Sequence, residues 1–525
     1  MTERMSTQLG ALATPHSDAT DIGSAILAAG GNAIDAAVAA AIALCVVYPN
    51  NVALGSDLVA LVRDPNGNIT EVNATGGAGS GTTTDELRER HGAQLPMYGV
   101  DTINVPGAIR GLEALAAQGA KLPWRDLVTP SVRLARDGIP MSSSVAKGIT
   151  LLKDTLQADS GCATVFFANG QPIEQGQLFR QPALANTLEA LAKNGPDEFY
   201  TGEVGAAWLA GIRALGSGIT AADLAQYRPA ICSPLHADVW GHRVYTSGPN
   251  TQGFALLRAL SRVQSESSDA SAAIDRARLA EQFLVTNAVR DQYLGDPRFG
   301  AASGATLMKV EAPTVVTSEY KGRPMGDTVG IAVASADGYA VSLIQSVYFQ
   351  FGAAILEPRT GILFQNRGTS FSLNPETTNC HAPGKRPAHT LMPVLATQDG
   401  HLKYVFATMG GQGQPQIHAQ IFASMVEGAH PADAVARARW LVGRQTPADV
   451  PTTFTAEAAV HKAILKEVAL AGLQVKRLEG LSDVVGHANI VTVSETGSFS
   501  AASDPRSDGS HAVVAAPPNR ARTAS

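Results

Sequence analysis

Thr328 follows Gly326-Asp327 at the point where a long helical half of the chain gives way to an apolar hairpin. A threonine hydroxyl attacks a carbonyl only when a base takes its proton, and by themselves these three residues read as a β-branched residue opening a strand. Gly410-Gly411 joins a strand-like run to a helix. Backbone N–H groups there can hold a developing oxyanion, although a tight strand-to-helix turn needs the same residues. Arg367 offers a planar fork that suits a carboxylate; in a loop it reads equally as a solvated or lid-bridging charge. His389, with an ordinary pKa of about 6.5, can bind substrate in either charge state or cap its loop.

Other chemistries lack their residues. No HExxH or His/carboxylate metal spacing occurs, so no metal is expected, and GxSxG, Walker A and strand-linked GxGxxG patterns are absent. Nothing calls for a cofactor. Forty Lys plus Arg against 46 Asp plus Glu give a net charge of -6, which supplies no pull toward nucleic acid or acidic lipid. Cys45, Cys162, Cys232 and Cys380 are scattered without metal or disulfide spacing, as in a reducing compartment. Met1 to Thr14 carries charges and no apolar signal core. The longest apolar run, Ala36 to Tyr48, is shorter than the ~20 residues that cross a bilayer, so a buried helix is expected, with no membrane partner and a cytoplasmic location.

The elements that must position these residues are visible in outline. With 525 residues, 45% of them hydrophobic, the chain can bury a large core, as roughly three or four units or as one layered body. A short helix over Ser24 to Ala29 should stop at Gly30-Gly31-Asn32, before the Ala-rich core helix. Leu58 to Val62 and Ile69 to Val72 flank Asp64-Pro65-Asn66-Gly67 and predict a hairpin. Helices should dominate from Ala108 through Leu260, followed by a Ser-rich connection at Gln264 to Ser271. After Arg323-Pro324, Thr328 to Ser335 and Ala340 to Val347 predict a second hairpin with both faces buried. Further strands are expected at Gly361 to Phe364, Leu391 to Ala396 and Tyr404 to Thr408, then a helix over Pro415 to Glu427. The sum is a layered β sandwich flanked by helices, with no internal repeat.

Set in that frame, the motifs resemble the γ-glutamyltranspeptidase family of N-terminal-nucleophile hydrolases. The resemblance is carried by Thr328 opening its hairpin, Gly361-Ile362-Leu363, Asn366, Gly384-Lys385-Arg386-Pro387 and Gly410-Gly411. It recurs at Gly30-Gly31-Asn32-Ala33-Ile34-Asp35-Ala36-Ala37, Val105-Pro106-Gly107, Ile219-Thr220 with Asp223-Leu224 and Tyr227, Tyr293-Leu294-Gly295-Asp296-Pro297, and Asp504-Pro505-Arg506. It spans nearly the whole chain.

The resemblance implies an α+β fold, a four-layer αββα sandwich built jointly by two fragments of one precursor. A cut between Asp327 and Thr328 would leave a large fragment 1–327 and a small fragment 328–525. Thr328 would then carry both the nucleophilic Oγ1 and its own base, an α-amine of reference pKa about 7.7 to 8.0. Gly410 and Gly411 would form the oxyanion hole. Ser346 matches the hydroxyl that bonds the threonine, or is a small inward strand residue. Tyr348 stands where many relatives have asparagine and is either core or pocket wall.

Departures from the family narrow the substrate. The arginine of a Phe-Arg-Glu-like segment is replaced by Asn73-Ala74-Thr75-Gly76-Gly77, the aspartate that holds the donor amine by Ser370, and the paired serines by Ala388-His389. Charged groups of a γ-glutamyl donor would be desolvated there without partners. Arg367, in Asn366-Arg367-Gly368-Thr369-Ser370-Phe371, sits where the family usually carries a neutral amide. This set resembles the branch that includes oxamate amidohydrolases. Oxamate has one carboxylate for an arginine, one amide for the threonine and no α-amine. The expected function is therefore a self-processing amidohydrolase acting on a small carboxylate-bearing amide. The alternatives are γ-glutamyl hydrolysis or transfer, cephalosporin-type acylase activity, or a binding or assembly protein that stays uncut. The processed heterodimer could pair again. Leu373 to Pro383, with Cys380, lies where relatives carry a lid and reads equally as a surface excursion.

Overall fold

Asn32 and Asp35 start the core helix by a reciprocal cap. The Asn32 side chain accepts from the N–H groups of Ile34 and Asp35, and the Asp35 carboxylate accepts from the N–H of Asn32. Asp35 also takes the N–H groups of Lys121 and Leu122, at 3.0 and 2.9 Å, so this buried carboxylate stitches two segments together. The helix it opens, Ala33–Val47, is buried along its whole length. A helix apolar on every side needs packing on every side. The computed structural model, which describes residues 8–267, 273–313 and 327–516, provides that packing on a sheet and surrounding helices.

Two antiparallel sheets stack face to face. The first runs in the order Ser510–Ala515, Gln8–Thr14, Asp327–Ser335, Ala340–Tyr348, Asp57–Arg63, Ile69–Ala74, Ala230–Cys232. The second runs Phe499–Ser503, His487–Val493, His401–Met409, Val394–Gln398, His242–Thr246, Leu235–Val239. Alternation along the central strand sorts its side chains: Val329, Ile331 and Val333 face the Ala33–Val47 helix layer, while Ala332 and Ala334 join Leu395, Val405, Ala407 and Val491 between the sheets. On the outer face of the second sheet lie the helices Phe254–Glu266, Arg276–Tyr293 and Gln414–Val426. The order of layers is helix, sheet, sheet, helix, the αββα sandwich expected.

Both predicted hairpins form, as Asp57–Arg63 with Ile69–Ala74 and Asp327–Ser335 with Ala340–Tyr348. Gln414–Val426 is the predicted helix, and of the Gly361 to Phe364 strand Ile362–Leu363 pairs with Leu356–Glu357 while Phe364 bridges Gly55. The first helix starts at Ser17 rather than Ser24, because His16 caps it and its opening turn carries Ser17, Asp18, Thr20 and Asp21, outside the apolar run. The helix Phe254–Glu266 absorbs the start of the Ser-rich stretch; residues 268–271, like Arg323-Pro324 and Gly326, lie outside the described residues.

Sequence reading missed Ala230–Cys232, His487–Val493, Phe499–Ser503 and Ser510–Ala515, and two further strand regions that join the halves of the chain. Leu235–Val239 and His242–Thr246 interrupt the helical half; they pair with each other, and His242–Thr246 pairs with Val394–Gln398 of the later half. Gln8–Thr14 inserts between Asp327–Ser335 and Ser510–Ala515. Gly10 permits this: a Cβ there would stand 2.5 Å from the Ala334 carbonyl oxygen. Both sheets thus combine strands from before and after residue 327, which interleave in the first and meet at one boundary in the second. Among the described residues no helix is long and apolar enough to cross a membrane, and all four cysteines are free.

Candidate active site

Thr328 sits at the start of the central strand, 1% exposed, beside a register irregularity between Asp327 and Val329. Its Oγ1 donates to Ser346 Oγ at 3.2 Å. Ser346 Oγ in turn donates to the carbonyl oxygen of Asp327 at 2.5 Å and accepts the N–H of Tyr348 at 2.8 Å. One hydroxyl therefore touches both the threonine oxygen and the carbonyl of the peptide bond that precedes it. Asn51 Nδ2 donates to the Thr328 carbonyl at 3.3 Å, and Gln350 Nε2 to Asp327 Oδ1 at 3.3 Å.

The paired glycines lie at the same end of the sandwich. Ser342, which pairs with Ala332, donates to the Phe406 carbonyl at 2.6 Å. Two residues earlier on the central strand, a Cβ on Gly330 would stand 2.7 Å from Ala407 C and 2.8 Å from Thr408 N. The two strands run in opposite directions across the interface, so the Thr328 end of one meets the Met409–Gly410 end of the other. Gly410 and Gly411 adopt φ of 149° and 51°, and a side chain at Gly410 would strike Ile417 Cδ1 at 2.4 Å. The short 3-10 turn Gly411–Gly413 follows, then the helix Gln414–Val426, whose leading N–H groups lack intrahelical acceptors.

Next to this lies a cavity of about 980 Å³, lined by Tyr348, Arg367, Ser370, His389, Thr390 and Gln252 among others. Neither Thr328 nor the glycine pair lines it; Thr328 lies behind the wall, linked to it by the hydrogen bonds that Ser346 Oγ accepts from Thr328 Oγ1 and from the Tyr348 N–H. Arg367 is a wall residue, 1% exposed. Its guanidinium carbon stands 3.5 Å over the centre of the Tyr348 ring, and Nη2 donates to Thr390 Oγ1 at 3.0 Å. This is not a solvated surface charge.

Three other candidates have their polar atoms engaged inside the protein. Asn366 accepts the N–H of Phe349 at 3.1 Å and donates to the Met97 carbonyl at 2.7 Å. Ser370 Oγ bonds the carbonyls of Arg367 and Ala388 at 2.9 and 3.2 Å, fastening the arginine's loop. His389 Nδ1 accepts the Leu391 N–H at 3.3 Å, which places the ring proton on Nε2 toward Asp57 Oδ2, 3.1 Å away. Burial, then Arg367 and Arg386, holds His389 well below its usual pKa, so the ring is neutral. Burial raises Asp57 to about 7, against the N–H of Gly76 and the charge of Arg367. The Leu373 to Pro383 loop forms one wall, tied down by Lys385 Nζ on the Thr378 and Cys380 carbonyls at 2.8 Å each. Burial pushes the Cys380 thiol pKa up, away from reactivity.

Sequence reasoning overlooked Asn51, Asp57, Gln252, Arg290 and Thr390. A single signal was available: Asp57 opens an apolar strand, where a carboxylate must find partners once buried.

The fold defines a class, the N-terminal-nucleophile hydrolases. Within that class the chain belongs to the gamma-glutamyltranspeptidase family, whose profile matches residues 19–514. It is similar to the oxamate amidohydrolase proenzyme of Klebsiella pneumoniae, 34% identical over 96% of this chain and 98% of the relative. The glutathione hydrolase-like YwrD proenzyme of Bacillus subtilis is 31% identical over 94% of this chain and 97% of that protein. Among solved structures, cephalosporin acylase from Bacillus halodurans superposes with a TM-score of 0.87 at 30% identity, covering 97% of this chain and 96% of that one. Helicobacter pylori gamma-glutamyltranspeptidase gives 0.53 at 27% identity, over 58% and 92%. The chain is an enzyme of this family, a hydrolase of the amidohydrolase and gamma-glutamyltranspeptidase type.

Proposed function

We propose that the chain is a precursor that cuts itself between Asp327 and Thr328 and then hydrolyses a small carboxylate-bearing amide, oxamate being the best fit. The observation that carries this reading is the Ser346 hydroxyl bonded at once to Thr328 Oγ1, at 3.2 Å, and to the Asp327 carbonyl, at 2.5 Å. Attack of Oγ1 on the Asp327 carbonyl carbon forms an ester as the Thr328 nitrogen leaves with a proton. Water then cleaves the ester, giving an Asp327 carboxylate and a free Thr328 amine. That amine, of reference pKa about 7.7 to 8.0, serves as base for the next cycle.

In turnover, Thr328 Oγ1 attacks the amide carbon of oxamate and the Thr328 amine takes the hydroxyl proton. Gly410 and Gly411 N–H groups hold the oxyanion, ammonia leaves carrying the transferred proton, and an oxalyl ester remains on Thr328. Water activated by the same amine releases oxalate. Arg367, braced by Tyr348 and Thr390, takes the substrate carboxylate. The kinship with the Klebsiella pneumoniae oxamate amidohydrolase supports this choice.

The breadth of the cavity, about 980 Å³, favours one second reading, an acylase or γ-glutamyl hydrolase acting on a larger amide. Intact mass with amino-terminal sequencing tests the cut: two fragments are expected, one beginning Thr328-Val329-Gly330, and a chain that stays whole refutes it. Ammonia release from oxamate, set against nitroanilide release from γ-glutamyl nitroanilide, separates the substrates. The processed enzyme is expected as an associated pair of fragments, 1–327 with 328–525, in a cytoplasmic setting.

A further inference from the structure

Gln252 is fully buried just before the helix Phe254–Glu266, and both of its amide hydrogens are in use. Nε2 donates to the Gly411 carbonyl at 2.8 Å and to the Thr390 carbonyl at 2.9 Å. Thr390 is the residue whose hydroxyl takes the Arg367 guanidinium, at 3.0 Å. A single side chain therefore ties the glycine turn to the residue that braces the arginine. Its other end is held too: Arg290 Nη1 reaches Gln252 Oε1 at 3.5 Å, while Arg290 Nη2 donates to Gln412 Oε1 at 3.0 Å, next to the glycine turn.

The surrounding backbone gives this side chain a fixed base. The Asn250 carbonyl accepts the His389 N–H at 2.8 Å, Asn250 Nδ2 donates to the Pro387 carbonyl at 2.7 Å, and Thr251 bridges His389. Gln252 precedes residue 327, whereas Arg367, Thr390 and Gly411 follow it. After a cut, one fragment would brace the two ends of a site that the other supplies.

We infer that Gln252 is a positioning residue that fixes the separation between the oxyanion turn and the carboxylate-binding arginine, and so sets which acyl length the enzyme accepts. The inference rests on the proposed roles of Gly411 and Arg367. A planar amide with two orthodox N–H···O bonds is a rigid spacer, and an apolar residue of similar size leaves both carbonyls without that donor.

The test uses the processed enzyme, Gln252→Leu and the more flexible Gln252→Met, with oxamate, malonamate and succinamate as a series of one, two and three carbons beyond the carboxylate. Wild type should favour one member. Each variant should lose about 100-fold in kcat on that member, with a smaller change in KM, and should compress the spread across the series about tenfold, while it still accumulates folded at an unfolding midpoint lowered by the two lost hydrogen bonds. An unchanged ranking and rate overturns the inference, as does an equal loss on every member, which a general structural role would give. So does failure of both variants to accumulate as folded protein. If wild type cuts itself but hydrolyses no member, the amide reading fails instead; the inference is then judged on cleavage, where wild-type rates in Gln252→Leu overturn it.

Discussion

The Ser346 hydroxyl lies 2.5 Å from the carbonyl oxygen of Asp327 and receives the Thr328 hydroxyl at 3.2 Å, so the acceptor and the attacking oxygen of the proposed cut share one neighbour. This follows from register. Asp327 pairs with Tyr348 across the hairpin, and the irregularity before Val329 turns the Thr328 side chain toward Ser346.

Thr328→Ala should accumulate as one uncut chain. Ser346→Ala, which keeps the nucleophile but removes the donor to the Asp327 carbonyl, should cut about 100-fold more slowly. A time course of fragment formation by intact mass checks both, and rapid cutting in Ser346→Ala would assign the hydroxyl to packing alone.

Arg367→Gln should raise KM for a carboxylate-bearing amide about 10- to 100-fold and leave kcat much less affected, as expected for loss of a charge-assisted bond. Arg367→Lys should recover only part of this, since a lysine cannot reproduce the fork stacked on Tyr348. Steady-state kinetics on both variants decide it.

Asp57 supplies a pH signature. Burial raises its pKa from 3.8 to about 7, so below neutrality it is protonated and adds no negative charge beside Arg367 and His389. As pH climbs through about 7 the new carboxylate opposes the substrate's anion and KM should rise, while kcat climbs as the Thr328 amine loses its proton at about 7.7 to 8.0. In Asp57→Asn the rise in KM should vanish and the kcat limb persist. The stability sign is also fixed: the folded chain keeps a proton that the unfolded chain has lost between pH 3.8 and about 7. That contribution to stability shrinks as pH rises through the window, and His389, shifted downward, acts in the opposite sense.

Gly330→Ala should destabilise the fold by about 1 to 3 kcal/mol, because the added Cβ meets the backbone of Ala407 and Thr408 at 2.7 and 2.8 Å and the sheets must part. Denaturant midpoints measure the loss. Activity should fall beyond it, since the strand being pushed is the one that leads to Gly410.

Several motifs that suggested the family prove to be supports. In Gly384-Lys385-Arg386-Pro387, Arg386 lies on Asp296, with its N–H 2.9 Å from Oδ2, and Lys385 holds two loop carbonyls. Asp504 of Asp504-Pro505-Arg506 accepts from Arg439 and from Arg506, at 2.6 and 2.9 Å, in a buried network with Glu457. Such charges are legible as motifs because burial without partners is costly, yet their partners, 90 and 65 residues away, cannot be read from spacing.

The sequence by itself determined the elements whose cause is local: the Ala-rich helix with its Asn32–Asp35 cap, both hairpins, and the glycine turn at 410 and 411, where φ at Gly410 is 149°. Periodicity, capping and sterics act over a few residues; Thr328 was singled out by the resemblance of the motifs to the family, not by these local rules. Only the tertiary structure decided that strands 8–14 and 242–246 cross into sheets shared with the later half, that Arg367 lies buried on Tyr348, that Asp57 meets His389, and that Gln252 meets the glycine turn. Those outcomes depend on which distant surfaces exclude water together and which buried polar groups find partners there, quantities that no short window of residues contains.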